Sequence, residues 1–282
     1  MSYLILDAAT HVFDPLHAFW ESERTHKRVA TLLALVFLAG VIGIELNRRG
    51  LLPPSWAAHM PTNHFHAVNL AFTLLLILEV IGLIFALPSS FSKSVGKQFE
   101  ILCLILMRNS FKELVNFSEP ISVGQLAPLL RIVSDGTGAL VVFVLLGVYY
   151  RLQRPKDDIV SRESLYSFVA LKKMIALALF GVFAGMGAIN AWQVVTHGPD
   201  IDFFPAFYTI LIFNDILLVL ISQRYLPAFH AVFRNSGFAL CTLLIRLALA
   251  APPFYNAALG VGAAGFSVFL SLACRYFSSP RE

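Results

Sequence analysis

The sequence predicts an all-α polytopic membrane protein with eight transmembrane helices arranged as two parallel four-helix repeats. Three observations carry this reading. Hydrophobic residues make up 57% of the chain and charged residues only 13%, where a soluble domain carries about 25% charged residues. Several nearly apolar stretches of about 20 residues are long enough to cross a hydrocarbon core of about 30 Å. The apolar segments of the first half also recur, in the same order, in the second.

Residues 1–25 read as an N-terminal tail or interfacial helix, with Phe13, Leu16, Phe19 and Trp20 as its apolar contacts. Acids scattered through this stretch fit poorly with a cleavable signal peptide, which has a basic start and a short apolar core. The first transmembrane unit, 26–156, holds spans near 29–47, 66–88, 97–117 and 132–151. The second, 157–282, holds spans near 172–195, 203–223, 234–252 and 256–276.

The segment 97–117, "KQFEILCLILMRNSFKELVNF", reads either as a surface helix or as a span that carries charges. Charge placement decides. If it crosses, the basic group at 24–28, Lys93, Lys97, Arg151, Arg154, Lys156, Arg162, Lys172, Lys173, Arg224, Arg234, Arg275 and Arg281 share one side. Mainly Arg48, Arg49 and Arg131 remain opposite. The positive-inside rule then puts both termini in the cytoplasm, in a bacterial-type inner (plasma) membrane.

A repeat supports the same count. "KRVATLLALVFLAGVIGIE" (27–45) matches "KKMIALALFGVFAGMGAIN" (172–190), and the segment 64–88 matches 203–227 through to a closing Leu-Pro. "LCLILMR" (102–108) matches "LCTLLIR" (240–246), and "GALVVFVLLGVYYR" (138–151) matches "GAAGFSVFLSLACR" (262–275). Two units with an even number of spans share one orientation, and a shared site is expected between them.

Four charges fall near mid-membrane. Glu79 and Asp215 lie in the second helix of each unit, Arg108 and Arg246 in the third. A charge at the bilayer centre costs about 2.5–3.5 kcal/mol on insertion scales, so pairing is expected between Glu79 and Arg108 and between Asp215 and Arg246. Such pairs either line an ion pathway or fasten helices together. The first unit continues polar beyond its arginine, through Asn109, Lys112 and Glu113 towards Arg131 and Asp135. The matching stretch "LALAAPP" (247–253) is apolar. Polarity is therefore expected to concentrate in the first unit and Arg108 to matter more than Arg246. The extra residues either line a hydrated vestibule or sit in the headgroups past a helix that ends near residue 110.

Other signals point away from specific chemistry. Cys103, Cys241 and Cys274 all lie in apolar runs without a CxxC or an extracellular pair, so neither a disulfide framework nor a zinc site is indicated. His64 and His66 would point about 200° apart on a helix, and an interfacial belt explains them better than a metal. Haem in a bundle would want histidines inside the spans, but His64, His66, His197 and His230 lie near span ends. "SDGTGAL" (134–140) and "GVGAAG" (260–265) fit close helix packing, not phosphate binding. No catalytic signature supports an enzyme, and no cofactor or nucleic-acid partner is indicated.

The function expected is a channel or transporter for a small ion, with the acid–arginine pairs lining or supporting its path. The alternatives are a membrane anchoring or assembly subunit, or a haem- or quinone-binding subunit of an oxidoreductase. Expected partners are the lipid bilayer, the ion, and a homo-oligomer or a membrane complex. Cysteine-accessibility labelling should find both termini and 152–168 on the cytoplasmic side, with 118–130 and 196–202 outside. Labelling 118–130 from the cytoplasm would end the eight-span topology.

Overall fold

Each apolar run of the sequence forms a helix, because in lipid a backbone must satisfy its own hydrogen bonds. The computed structural model describes residues 2–53, 61–117, 126–153, 162–196, 203–225 and 227–277. Most of the three connections whose sidedness the charges predict, together with Arg154, Lys156, His197 and Arg281, lies outside the described residues.

In chain order the helices are α1 (Ser2–Glu21), α2 (Glu23–Arg48), α3 (Phe65–Ala86) and α4 (Phe91–Lys112), the last followed by a 3-10 turn, Glu113–Asn116. Then come α5 (Leu126–Leu152), α6 (Arg162–Thr196), α7 (Phe203–Tyr225), α8 (Phe229–Ala250) and α9 (Tyr255–Phe277). No strand occurs among the described residues.

Local signals set several ends. Ser22 caps α2 by accepting the Thr25 N–H at 3.2 Å, and Ser90 caps α4 by accepting that of Lys93 at 3.4 Å. Pro88 follows the end of α3, and Pro252 and Pro253 follow α8, where the missing N–H stops a helix. The turn after α8 closes through Phe254 at φ 73°, a left-handed conformation that side chains rarely adopt.

Seven of these helices are long and apolar enough to cross a membrane, so the chain is an integral membrane protein. The remaining span expected from the sequence, α4, falls short on charge and not on length. It carries Lys93, Lys97, Glu100, Arg108 and Lys112, yet its 22 residues reach about 33 Å. It is also the most enclosed part of the bundle, with eleven of 22 residues buried. The helix covers 91–112 and not 97–117. Its last turn tightens at Glu113, leaving Lys112 exposed at the rim.

Neighbours in sequence pack in order: α2 on α3, α3 on α4, α4 on α5, then α6 on α7, α7 on α8 and α8 on α9. The halves meet where α4 touches α8 and α5 touches α9. One apolar core joins α4, α5, α8 and α9 around Leu102, Val142, Cys241 and Ala263. A second joins α1, α3, α6 and α7 around Phe13, Ile84, Ala176 and Leu211. Each core draws on both halves.

The outside is apolar: Leu32, Leu35, Leu38 and Ile42 on α2, Leu140, Phe143 and Val144 on α5, and Phe269 on α9 are exposed. The inside holds Arg108, Asp135, Lys172, Asn214, Asp215, Asn235 and Arg246. This is the distribution lipid imposes, with polar groups retained between helices.

The N-terminal segment is a helix that docks on protein more than expected. Tyr166 donates to Asp7 at 3.2 Å, and Lys173 pairs with Asp14 at 2.6 Å, so α1 runs parallel to the start of α6. Phe13 is buried against Phe85, and Trp20 packs over Gly82 and Phe85. Only Leu16 and Phe19 of the four expected apolar contacts stay exposed.

The glycine segments differ from one another. A Cβ added at Gly138 would lie 2.6 Å from Ala257 Cβ and 3.3 Å from its Cα, so α5 and α9 approach backbone to backbone there. Gly262 and Gly265, by contrast, face open space. Gly138→Val should therefore force α5 and α9 apart and lower stability by about 1–3 kcal/mol, a typical overpacking cost. Combining it with Ala257→Gly should restore part of that loss in a thermal-unfolding measurement, whereas Gly262→Val should change little.

Candidate functional site

The apolar environment makes each interior charge seek a counter-charge on a neighbouring helix. On α4, Arg108 is buried and extends towards α3. Its Nη1 donates to the Phe72 carbonyl at 3.3 Å and lies 3.4 Å from Glu79 Oε2. On α8, Arg246 extends towards α7 in the same manner, with Nη2 3.6 Å from Asp215 Oδ2. The side chains of Arg108 and Glu79 are 7% and 8% exposed, those of Arg246 and Asp215 1% and 8%. Both pairs are thus withdrawn from lipid, each bridging the second and third helix of its half.

The pairs are not independent of each other. Tyr208, buried on α7, lies within electrostatic reach of Arg108, Arg246 and Glu79. The two arginines lie on helices that pack together, α4 and α8, and share this phenol as an electrostatic neighbour.

Neither pair is saturated with hydrogen bonds. Glu79 Oε1, Asp215 Oδ2 and Arg246 Nε and Nη2 are buried without a hydrogen-bond partner among the described residues. The same holds for Asn214 Nδ2, next to Asp215. Buried polar atoms are normally paired, and several of the exceptions belong to these charges, others being on Asn69, Gln98, Asp135, Gln193 and Asn235. Thr242, one turn before Arg246 on α8, is buried, and its hydroxyl donates to the Ala239 carbonyl at 2.8 Å.

The polar extension of the first half divides into separate groups. Arg131 Nη1 lies 3.5 Å from Glu113 Oε2, which also accepts from Asn116 at 2.7 Å, forming a group at the rim. Asp135 is buried on α5, where α9 packs, with its Oδ1 lacking a hydrogen-bond partner among the described residues. Lys112 is exposed beyond the buried part of α4. None of these hydrogen-bonds the Arg108 pair. A spacing of four places Arg108 and Lys112 on one face, but the helix leaves the bundle between them.

Polarity is therefore not concentrated in the first half. Asn214, Asp215, Thr242 and Arg246 cluster in the second, and Asn235 donates to Ser222 at 3.4 Å nearby. Charge alone does not reveal these residues in the sequence, because most of them are neutral amides and hydroxyls inside apolar runs. Lys172 escapes sequence reasoning for another reason. By position it is a span-end cation that orients the chain, yet it is 4% exposed.

His64 begins α3 in helical geometry and lies 3.2 Å from Glu45 Oε2, while His66 is exposed. The pair of histidines does not share one site. No group of three or more His, Cys, Asp or Glu residues able to hold a metal occurs among the described residues. Comparison with known protein families, curated proteins and solved structures finds no match to this chain.

Removing one member of a buried pair leaves the other charge uncompensated. Arg108→Ala should lower stability by about 3 kcal/mol, and Arg246→Ala by at least as much, since Arg246 is the more enclosed. Glu79→Gln with Arg108→Gln should recover much of the first loss. Thermal unfolding of the four proteins in detergent checks this; a double variant no more stable than Arg108→Ala would show that the pair is not energetically coupled.

Proposed function

We propose that the protein moves a small ion across the membrane, with the two acid–arginine pairs at the α4–α8 contact lining or supporting the path. One observation carries the reading: two buried pairs at matching places in the two halves, each retaining polar atoms without partners. A fastener needs saturated bonds, because unsatisfied buried groups cost stability. Polar atoms held ready inside a bundle suit a transient ion better.

In this reading α4 is the eighth span, and α2–α5 and α6–α9 are parallel repeats about an axis along the membrane normal. The order of helix packing in the two halves supports it, as do the self-contacts α4–α8 and α5–α9. The termini then lie in the cytoplasm, as the basic residues require. A second reading, an assembly subunit, draws on α2, which packs mainly on α3 and α1 and leaves most of its apolar surface uncovered.

Flux measured in proteoliposomes across a panel of ions separates the two. We expect ion flux well above that of protein-free liposomes. The double variant Glu79→Gln with Arg108→Gln should fold yet carry markedly less flux or change ion preference. Folded protein with no flux of any ion would favour the assembly role, and unchanged flux in the double variant would make the first pair structural.

A further inference from the structure

We propose that Lys172 and the small cavity beside it bind a small monovalent inorganic anion such as chloride. The cavity lies at the end of the bundle where α3 turns into α4, enclosed by that turn and by α4, α6, α7 and α8. Its polar lining is Ser89, Ser94, Gln98, Lys172, Asp215 and Thr242. Its volume of about 20 Å³ exceeds the roughly 10–15 Å³ that one water requires, so one water or one monatomic ion fits.

Lys172 is the unusual member. It is 4% exposed, and its ammonium donates to the Ser89 carbonyl at 2.9 Å. The ring centres of Phe91 and Phe168 lie 4.4 and 4.6 Å from the same nitrogen. No described carboxylate forms an ion pair with it; the adjacent Lys173 takes Asp14 instead. A buried cation with one neutral acceptor is costly unless something compensates its charge.

The surrounding charges do not supply that compensation. Among the described residues, the interior between α3, α4, α6, α7 and α8 holds three cations, Lys172, Arg108 and Arg246, and two acids, Glu79 and Asp215, an excess of one positive charge. Asp215 lines the far end of the cavity but is engaged by Arg246. Asp135 sits on α5, where α9 packs. One monovalent anion brings this interior to neutrality.

The donors also suit an anion. Lys172 has two N–H groups beyond the one given to Ser89. Ser94 has a hydroxyl on the first turn of α4, where the helix dipole favours negative charge. Gln98 is 2% exposed and lines the cavity, and its side-chain NH2 supplies two further donors. Cationic side chains of this kind select anions in membrane pathways.

The site stands apart from the transport reading, although an anion held here would be one turn of α8 from Arg246. Isothermal titration of chloride into the purified full chain in detergent, with gluconate as the background anion, tests it. Wild type should bind saturably. Lys172→Met should weaken binding at least ten-fold, Ser94→Ala several-fold, and Gln98→Glu, which adds a negative charge while keeping the lysine, should abolish it. Unfolding curves identify any variant that fails to fold; if Lys172→Met does so, the comparison rests on Gln98→Glu and Ser94→Ala. No saturable chloride binding by wild type, or unchanged binding in the folded variants, overturns the proposal. So does Lys172-dependent proton flux in gluconate alone, which would make the cavity a proton relay. Chloride binding without flux of any ion would keep the site and remove the transport reading; flux without chloride binding would do the reverse.

Discussion

The structure depends on enclosing charge within a protein whose outer surface is apolar. Arg246 is among the largest fully buried side chains, and Arg108 on α4 is buried as well. A guanidinium cannot face hydrocarbon at acceptable cost, so α4 and α8 must occupy the interior and the acids of α3 and α7 must turn towards them. The more uniformly apolar α2 and α6 are then left at the periphery. Only 6% of the apolar window of α2 is buried, which a helix of that composition tolerates because lipid solvates it.

Close packing supports this arrangement where charge does not. Gly138 lets α5 and α9 come together at Ala257, and Gly96 makes room for Tyr150, whose hydroxyl donates to Glu100 at 2.6 Å. Glu100 is also 2.7 Å from Lys97, so two of the charges that keep α4 from reading as an ordinary span are neutralised locally. Tyr149 donates to the Ser92 carbonyl at 2.8 Å, tying α5 to the beginning of α4. Helix association in lipid relies on such small residues and hydrogen bonds, since apolar burial contributes little against apolar solvent.

The interior is divided by depth. The α3–α4 end holds Lys172 with its cavity, the two pairs stand further along α4 and α8, and Arg131 pairs with Glu113 just past the end of α4. A polar group is therefore available at each level, in a bundle where each of them carries a cost.

The sequence by itself determined that the chain is a helical membrane protein and placed an apolar segment on each spanning helix, because hydropathy over a helical length is a local property, while several helix ends lie five to ten residues from the expected bounds. It also singled out Glu79, Arg108, Asp215 and Arg246, since charge in an apolar run is conspicuous wherever it lies. Tertiary structure alone decided which neutral polar residues join them. Asn214, Thr242 and Tyr208 look ordinary in sequence and become significant only when α7 and α8 close on α4. The same holds for Lys172 and Lys173: adjacent and alike in sequence, one lines the cavity and the other reaches Asp14 on α1. Helical rotation sets successive side chains about 100° apart, and which direction is interior depends on where the neighbouring helices pack.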